Sequence, residues 1–402
     1  MSTAPSARPR RANLALIVGL IVFATGVAVF LGTRLAGGFT SATPAPSGIA
    51  VATTSPTPAP TPTPEPTPTP TTAPSLEQLI GQKLVVRMAG TAPSEAILER
   101  ARNGEIGGVV LFGSNVRDEA QLAAATRTLQ EAAQAGGQPP LLIAVDQEGG
   151  GIRRIPWAQP VASATRMGQL EPDEVRSIGA ATGQALRAVG ANVDLAPVAD
   201  TPDDNQSFMR DARRTFSDDP EVVARMVTAF AEGLASQDVI ATVKHFPGIG
   251  RVARNTDRFV ETVREPADAL DRDLAPFKAA IEAGVPIVML SNATYPAFDP
   301  DNGAGWSPAI ATGLLRDRLG FSGVSITDSL SGTAKAREVT PGSLATAAVT
   351  AGTDMILISG AEATSAAVYD ELVAQARAGM LDQAALEASY RRILDLKATL
   401  GG

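Results

Sequence analysis

Eight short apolar runs follow one another down this 402-residue chain, and each is separated from the next by enough sequence for a crossover helix. They read as strands at Leu84–Met88, Gly108–Phe112, Leu141–Val145, Val193–Ala196, Ile240–Val243, Pro286–Leu290, Gly323–Thr327 and Met355–Ile358. Strands that are apolar on both faces belong to a parallel sheet covered on both sides. Helical periodicity marks 119–134, 220–237, 267–282 and 344–351 between them, and 382–400 reads as a closing helix. The order fits a single α/β domain, a (β/α)8 TIM-type barrel over residues 75–402, better than the runner-up, an open doubly wound sheet.

The residues before the barrel divide into three parts. Residues 1–11 are a basic tail with Arg8, Arg10 and Arg11. Residues 12–33 carry no charge and are mostly apolar, long enough to cross a bilayer of about 30 Å as a helix. Arginines ahead of this segment predict a cytoplasmic tail, a single-pass transmembrane signal anchor and an extracytoplasmic barrel, secreted instead if the segment is cleaved. Without a cysteine to acylate, a lipoprotein anchor is excluded. Residues 34–74 are dominated by Pro, Thr, Ala and Ser, a composition that cannot bury a core and predicts a disordered tether of about 3 Å per residue.

With Arg8, Arg10, Arg11, Arg34 and Glu65 set aside, the rest of the chain holds 30 basic and 41 acidic side chains. That acidic balance argues against nucleic acid as a partner. One histidine and no cysteine leave no zinc set and no metal expectation, and no cofactor is called for. A Ser-His-Asp hydrolase would need a Gly-x-Ser-x-Gly elbow, which does not occur.

Polar residues gather where the strands stop. The third is followed by Asp146-Gln147-Glu148-Gly149-Gly150-Gly151, and the fourth reaches Asp194 and Asp200. The fifth runs into Lys244-His245-Phe246-Pro247-Gly248, the sixth into Ser291-Asn292 and the seventh into Asp328. In a parallel barrel these ends converge on one mouth, where catalytic groups sit.

In this order these motifs, with Leu76-Glu77-Gln78-Leu79-Ile80-Gly81-Gln82, Leu195-Ala196-Pro197-Val198 and Ile326-Thr327-Asp328-Ser329-Leu330, make the chain similar to glycoside hydrolase family 3 over roughly 76–400. Within it, the chain resembles the single-domain bacterial β-N-acetylglucosaminidases of cell-wall turnover. The resemblance implies a monomeric retaining glycosidase that acts on β-linked glycans through a covalent glycosyl-enzyme. It matches Asp328 to the nucleophile, and Asp146, Arg154, Arg214, Lys244 and His245 to sugar-binding residues.

Three positions depart from that pattern. The second histidine of the Lys-His motif is Ile249, the arginine after the double glycine is Gly151, and the Asp-x-His pair that carries the acid/base has become Asn255-Thr256-Asp257. Asp257 therefore stands where the histidine would. A carboxylic acid of raised pKa can protonate a leaving oxygen, and burial or the charge of Asp328 would raise it. The alternatives are a barrel that binds wall glycan without cleaving it, a β-glucosidase, and a structural wall protein. Trp306, and after it Trp157, are candidates for stacking on a sugar face.

Overall fold

The computed structural model describes residues 74–203 and 206–400. The expected basic tail, transmembrane segment and nearly all of the Pro/Thr-rich linker lie outside these residues. Among the described residues, no helix is long and apolar enough to cross a membrane.

Eight parallel strands form one sheet: β1 Leu84–Arg87, β2 Gly108–Leu111, β3 Leu142–Val145, β4 Val193–Asp194, β5 Ile240–Phe246, β6 Ile287–Leu290, β7 Val324–Thr327 and β8 Ile356–Ile358. Each pairs with the next in sequence from β1 to β7, and β1 pairs with β8. The remaining seam is drawn shut by a bridge between Ile326 and Met355. There the Thr327 N–H donates to the Met355 carbonyl at 3.0 Å, and the Met355 N–H to the Ser325 carbonyl at 2.9 Å. The sheet is therefore a barrel, and the open-sheet alternative falls.

Period-two alternation sorts the strand residues into two cores. Val85, Val110, Leu142, Val193, Ile240, Met289, Ile326 and Leu357 point inward and fill the lumen. Val86, Val109, Ile143, Val243, Val288 and Ile358 point outward into the layer beneath the helices. Both sets are buried, which is why the strands read as continuous apolar runs. The helix Gln383–Ala398 sends Ile393 and Leu396 into the lumen cluster, so it does close the barrel as expected.

Helix starts are written locally. Ser75 and Gln78 form a capping box, Asp118 caps Glu119–Ala135, and Pro220 opens the helix Pro220–Ala235 behind the cap Asp219. The strands differ most from expectation at β5, which runs three residues past Val243 and takes in Lys244, His245 and Phe246. Its pairing with β6 slips between Lys244 and Phe246, a bulge with consequences at the mouth.

Candidate active site

The mouth holds a cavity of about 310 Å³. Its lining includes all seven residues anticipated from the sequence: Asp146, Arg154, Arg214, Lys244, His245, Asp257 and Asp328. The end of β5 and the segments after β3, β4, β5 and β7 supply them.

A β-hairpin of Gln147–Gly149 and Ile152–Arg153 follows β3. Gly149 and Gly150 turn it with positive φ angles of 98° and 55°, a region glycine enters without steric cost. Alternation along the hairpin separates its polar side chains. Asp146 and Glu148 face the cavity. Gln147 turns away, fully buried, donating to the carbonyls of Ile155 and Gln159 and accepting from the Ile155 N–H.

In a regular strand Lys244 and His245 would face opposite sides. The bulge in β5 lets both line the cavity. Lys244 is 2% exposed, and its Nζ lies 2.6 Å from both Asp146 Oδ1 and Glu148 Oε1. Arg214 grips Glu148 with both arms, Nε to Oε2 and Nη2 to Oε1 at 2.8 Å each. Burial would raise the Glu148 carboxyl, but Arg214 and Lys244 outweigh it and hold that carboxyl well below the usual range. Burial likewise opposes the charge on Lys244, and Asp146 and Glu148 overcome it, raising the ammonium pKa. Arg154 stands further off, its Nη2 3.7 Å from Asp146 Oδ2 and its guanidinium 6.0 Å from the Phe112 ring centre.

His245 is oriented from behind. Its Nδ1 lies 2.7 Å from Asp200 Oδ2, and since a carboxylate only accepts, Nδ1 carries the proton. Asp200 also accepts the backbone N–H groups of His245 at 3.3 Å and Ile249 at 2.7 Å. Ile249, where the family pattern has a second histidine, is buried and contributes only this N–H and its hydrocarbon.

Asp328 follows β7 directly. Its N–H donates to the Leu290 carbonyl at 2.8 Å, continuing the ladder to β6, and its Oδ1 accepts the Ser329 N–H at 2.7 Å. Asp257 lines the same cavity from the loop after β5. Asn255 does not polarise its side chain; the Asn255 Oδ1 accepts the Asp257 backbone N–H at 2.8 Å and shapes the turn. Asp257 Oδ1 is buried without a hydrogen-bond partner. Burial, and next the charge of Asp328 with a smaller push from Asp146, raise its pKa to about 7 against the pull of His245 and Arg214. Asp257, its carboxyl pKa raised, and Asp328 therefore share one cavity.

Sequence reasoning placed Glu148 and Asp200 among the polar strand ends but gave neither a role in the site. That of Glu148 was recoverable, because it sits two residues from Asp146 on a strand-like segment and so shares its face. That of Asp200 was not, since only the fold brings it under His245. The tryptophans need correcting as stacking candidates. Trp306 is buried under the Arg337 guanidinium, 4.9 Å from its ring centre. Trp157 is half exposed, and neither belongs to the cavity lining. Hydrocarbon there comes from Val110, Phe112, Met289 and Leu357 instead.

The charged cluster also bears on stability. Lys244→Met should cost about 3–5 kcal/mol in a urea titration, because Glu148 and Asp146 lose a buried counter-charge. Adding Glu148→Gln should recover part of that loss. An unshifted midpoint in Lys244→Met would show that the pair adds no stability.

Known proteins resemble this chain in sequence and fold. Over residues 75–396 the chain matches the Glycosyl hydrolase family 3 N terminal domain. An uncharacterized secreted glycosyl hydrolase of Arthroderma benhamiae is 33% identical over 327 residues, 80% of this chain and 92% of that one. A beta-hexosaminidase of Nitrosomonas eutropha is 35% identical over 289 residues, 68% of this chain and 80% of its own. Among solved structures, the β-N-acetylhexosaminidase of Beutenbergia cavernae superposes with a TM-score of 0.75 at 34% identity, covering 81% of this chain and 99% of that one. The family 3 β-N-acetylglucosaminidase of a Paenibacillus strain gives 0.77 at 32% identity over 82% of this chain, which spans 64% of that longer protein. The chain is a glycosidase and belongs to glycosyl hydrolase family 3.

Proposed function

We propose that this enzyme hydrolyses β-linked N-acetylglucosaminides with retention of configuration, Asp328 as nucleophile and Asp257 as acid/base. The observation that supports this most directly is the pairing of the two carboxyls in one cavity, with Asp257 buried there. Asp257 gives its proton to the glycosidic oxygen as the C–O bond breaks. Asp328 attacks the anomeric carbon from the opposite face and forms the glycosyl ester. Asp257, now ionised, takes a proton from water, which attacks the same carbon, releases Asp328 and retains the β-configuration.

Asp146, Arg154, Arg214, Lys244 and His245 hold the sugar hydroxyls. Glu148 and Asp200 fix the cations and the imidazole, so little reorganisation is left for the reaction itself. Beta-hexosaminidases among the relatives favour the N-acetylhexosamine, and we assign cell-wall glycan as the substrate class. That substrate suits the extracytoplasmic placement expected from residues 1–74.

The test is a panel of 4-nitrophenyl β-N-acetylglucosaminide, 4-nitrophenyl β-glucoside and an N-acetylglucosaminyl-β-1,4-N-acetylmuramyl disaccharide, with residues 75–402. Turnover of the first and third with little of the second is expected. Preference for the glucoside would reassign the substrate. Binding of all three without turnover would leave a glycan-binding barrel.

A further inference from the structure

Asp257 is held in place by something other than its own loop. The helix Leu330–Ala336 begins two residues after Asp328, and Gly332 lies inside it and lines the same cavity. The Asp257 backbone rests directly on this glycine. A Cβ added at 332 would stand under 3.0 Å from the Asp257 carbonyl oxygen, 3.2 Å from its carbonyl carbon and 3.4 Å from its Cβ. Backbone cannot yield as the tip of a flexible side chain would, so any side chain at 332 must push the whole residue outward.

Backbone conformation does not explain the glycine, because Gly332 is not among the residues with positive φ. Inside a helix, glycine is about 1 kcal/mol less favourable than alanine. Local helix stability therefore favours alanine at 332, and the space that glycine leaves is its use. Two further contacts fix the loop around Asp257: the Asn255 Oδ1 to Asp257 N–H bond at 2.8 Å, and the Arg254–Glu261 ion pair at 2.6 Å across its base.

We propose that Gly332 is a positioning residue for the acid/base: its missing side chain seats Asp257 deep enough to share the cavity with Asp328. The inference rests on the assignment of Asp257 given above. It also explains how a short carboxylic acid works at a position where the resembled enzymes carry the longer histidine. The loop comes down onto the helix, and the helix makes room. Nucleophile and acid/base are thereby tied together, since the helix that carries Gly332 starts at the nucleophile's own strand end.

The test is Gly332→Ala, alone and combined with Asp257→Ala. A displacement of about 1 Å in a catalytic group can cost on the order of 100-fold. Gly332→Ala should therefore lower kcat/KM, which reads the first step alone, about 10–100-fold on a phenyl β-glycoside, whose leaving group needs a proton. It should change kcat/KM less than about threefold on a 2,4-dinitrophenyl glycoside, whose leaving group does not. The alkaline limb of kcat/KM should fall below its wild-type position as Asp257 moves out of its buried site, with Asp328, His245, Arg214 and Asp146 still the charged groups facing it. Tm should change little, the helix gain of alanine offsetting the cost of moving the loop, and the affinity for N-acetylglucosamine, read by isothermal titration calorimetry, should be kept.

In the Asp257→Ala background, adding Gly332→Ala should have no further effect on kcat/KM. Equal losses on both leaving groups, an unmoved pH limb, or a full loss still present in the Asp257→Ala background would overturn the role of Gly332. Full activity of Asp257→Ala itself would overturn the acid/base assignment, and this inference with it. An impaired Asp257→Ala beside an unimpaired Gly332→Ala would overturn this inference alone.

Discussion

Asp328→Ala should lower kcat by about 10⁴–10⁶-fold on every substrate, whatever its leaving group, the scale on which loss of a covalent nucleophile is felt. Among the described residues, the other acidic groups of the cavity are engaged elsewhere, Asp257 as the proposed acid/base. Glu148 is locked between Arg214 and Lys244, and Asp146 is bonded to Lys244. Shortening the side chain leaves room for a small anion on the face that Asp328 occupied. Added azide should therefore restore turnover and yield the inverted α-glycosyl azide. Asp328→Asn, of equal size, should stay inactive with azide because the room is filled. Near-wild-type hydrolysis by Asp328→Ala would remove Asp328 from the chemistry, and a β-azide from it would place the nucleophile elsewhere.

The second large effect belongs to Asp257 and depends on what is leaving. Asp257→Ala should lose about 10²–10⁴-fold on phenyl and disaccharide substrates, the range of general acid catalysis, and far less in the first step on 2,4-dinitrophenyl glycosides. Azide should accelerate it too, but here attack falls on the Asp328 ester already formed, so the product is the retained β-azide. Its pH dependence follows from the sign of the shift. Asp257 must be protonated to act as acid, and burial with Asp328 beside it raises its pKa to about 7. Wild-type kcat/KM should hold below that pH and fall as pH rises through it. In Asp257→Ala this limb should vanish. A limb retained in the variant would mean that another group supplies the proton.

The barrel was legible because each strand is buried on two sides, and eight such runs at crossover spacing leave few alternatives. The limits of the elements were less so. Lys244 and His245 are charged and polar, and so read as the loop beyond β5. In the structure they are strand, because a bulge aims both at the mouth and Asp146, Glu148 and Asp200 satisfy them there. The helix Pro341–Thr350 starts three residues before the expected Leu344, although Thr340 and Pro341 spell a cap and first turn. Pro172–Ala188 and Glu362–Arg377 were not singled out, and both carry small residues where a continuous apolar stripe would be sought.

At the site, the residues proposed to meet sugar came from motif order, and the roles of those that hold them in turn did not. Asp200 and Gly332 act through neighbours distant in sequence, His245 and Asp257, and no local pattern announces such contacts. Trp306 failed for the opposite reason: a tryptophan in a Gly-rich loop suggests an open platform, yet Gly303, where a Cβ would run into the ring, lets the chain fold tightly over it.

The cavity has two kinds of wall. Charged groups descend from β3, β4, β5 and β7, while Val110, Phe112, Met289 and Leu357 contribute only hydrocarbon from β2, β6 and β8. Those four make no ion pair and carry no proton, but they also pack the lumen core, so exchanges that keep its volume can reshape the pocket with the reaction left intact. A lineage could drift between related sugars through such neutral repairs to the plain wall, and its charged wall would keep the same chemistry throughout.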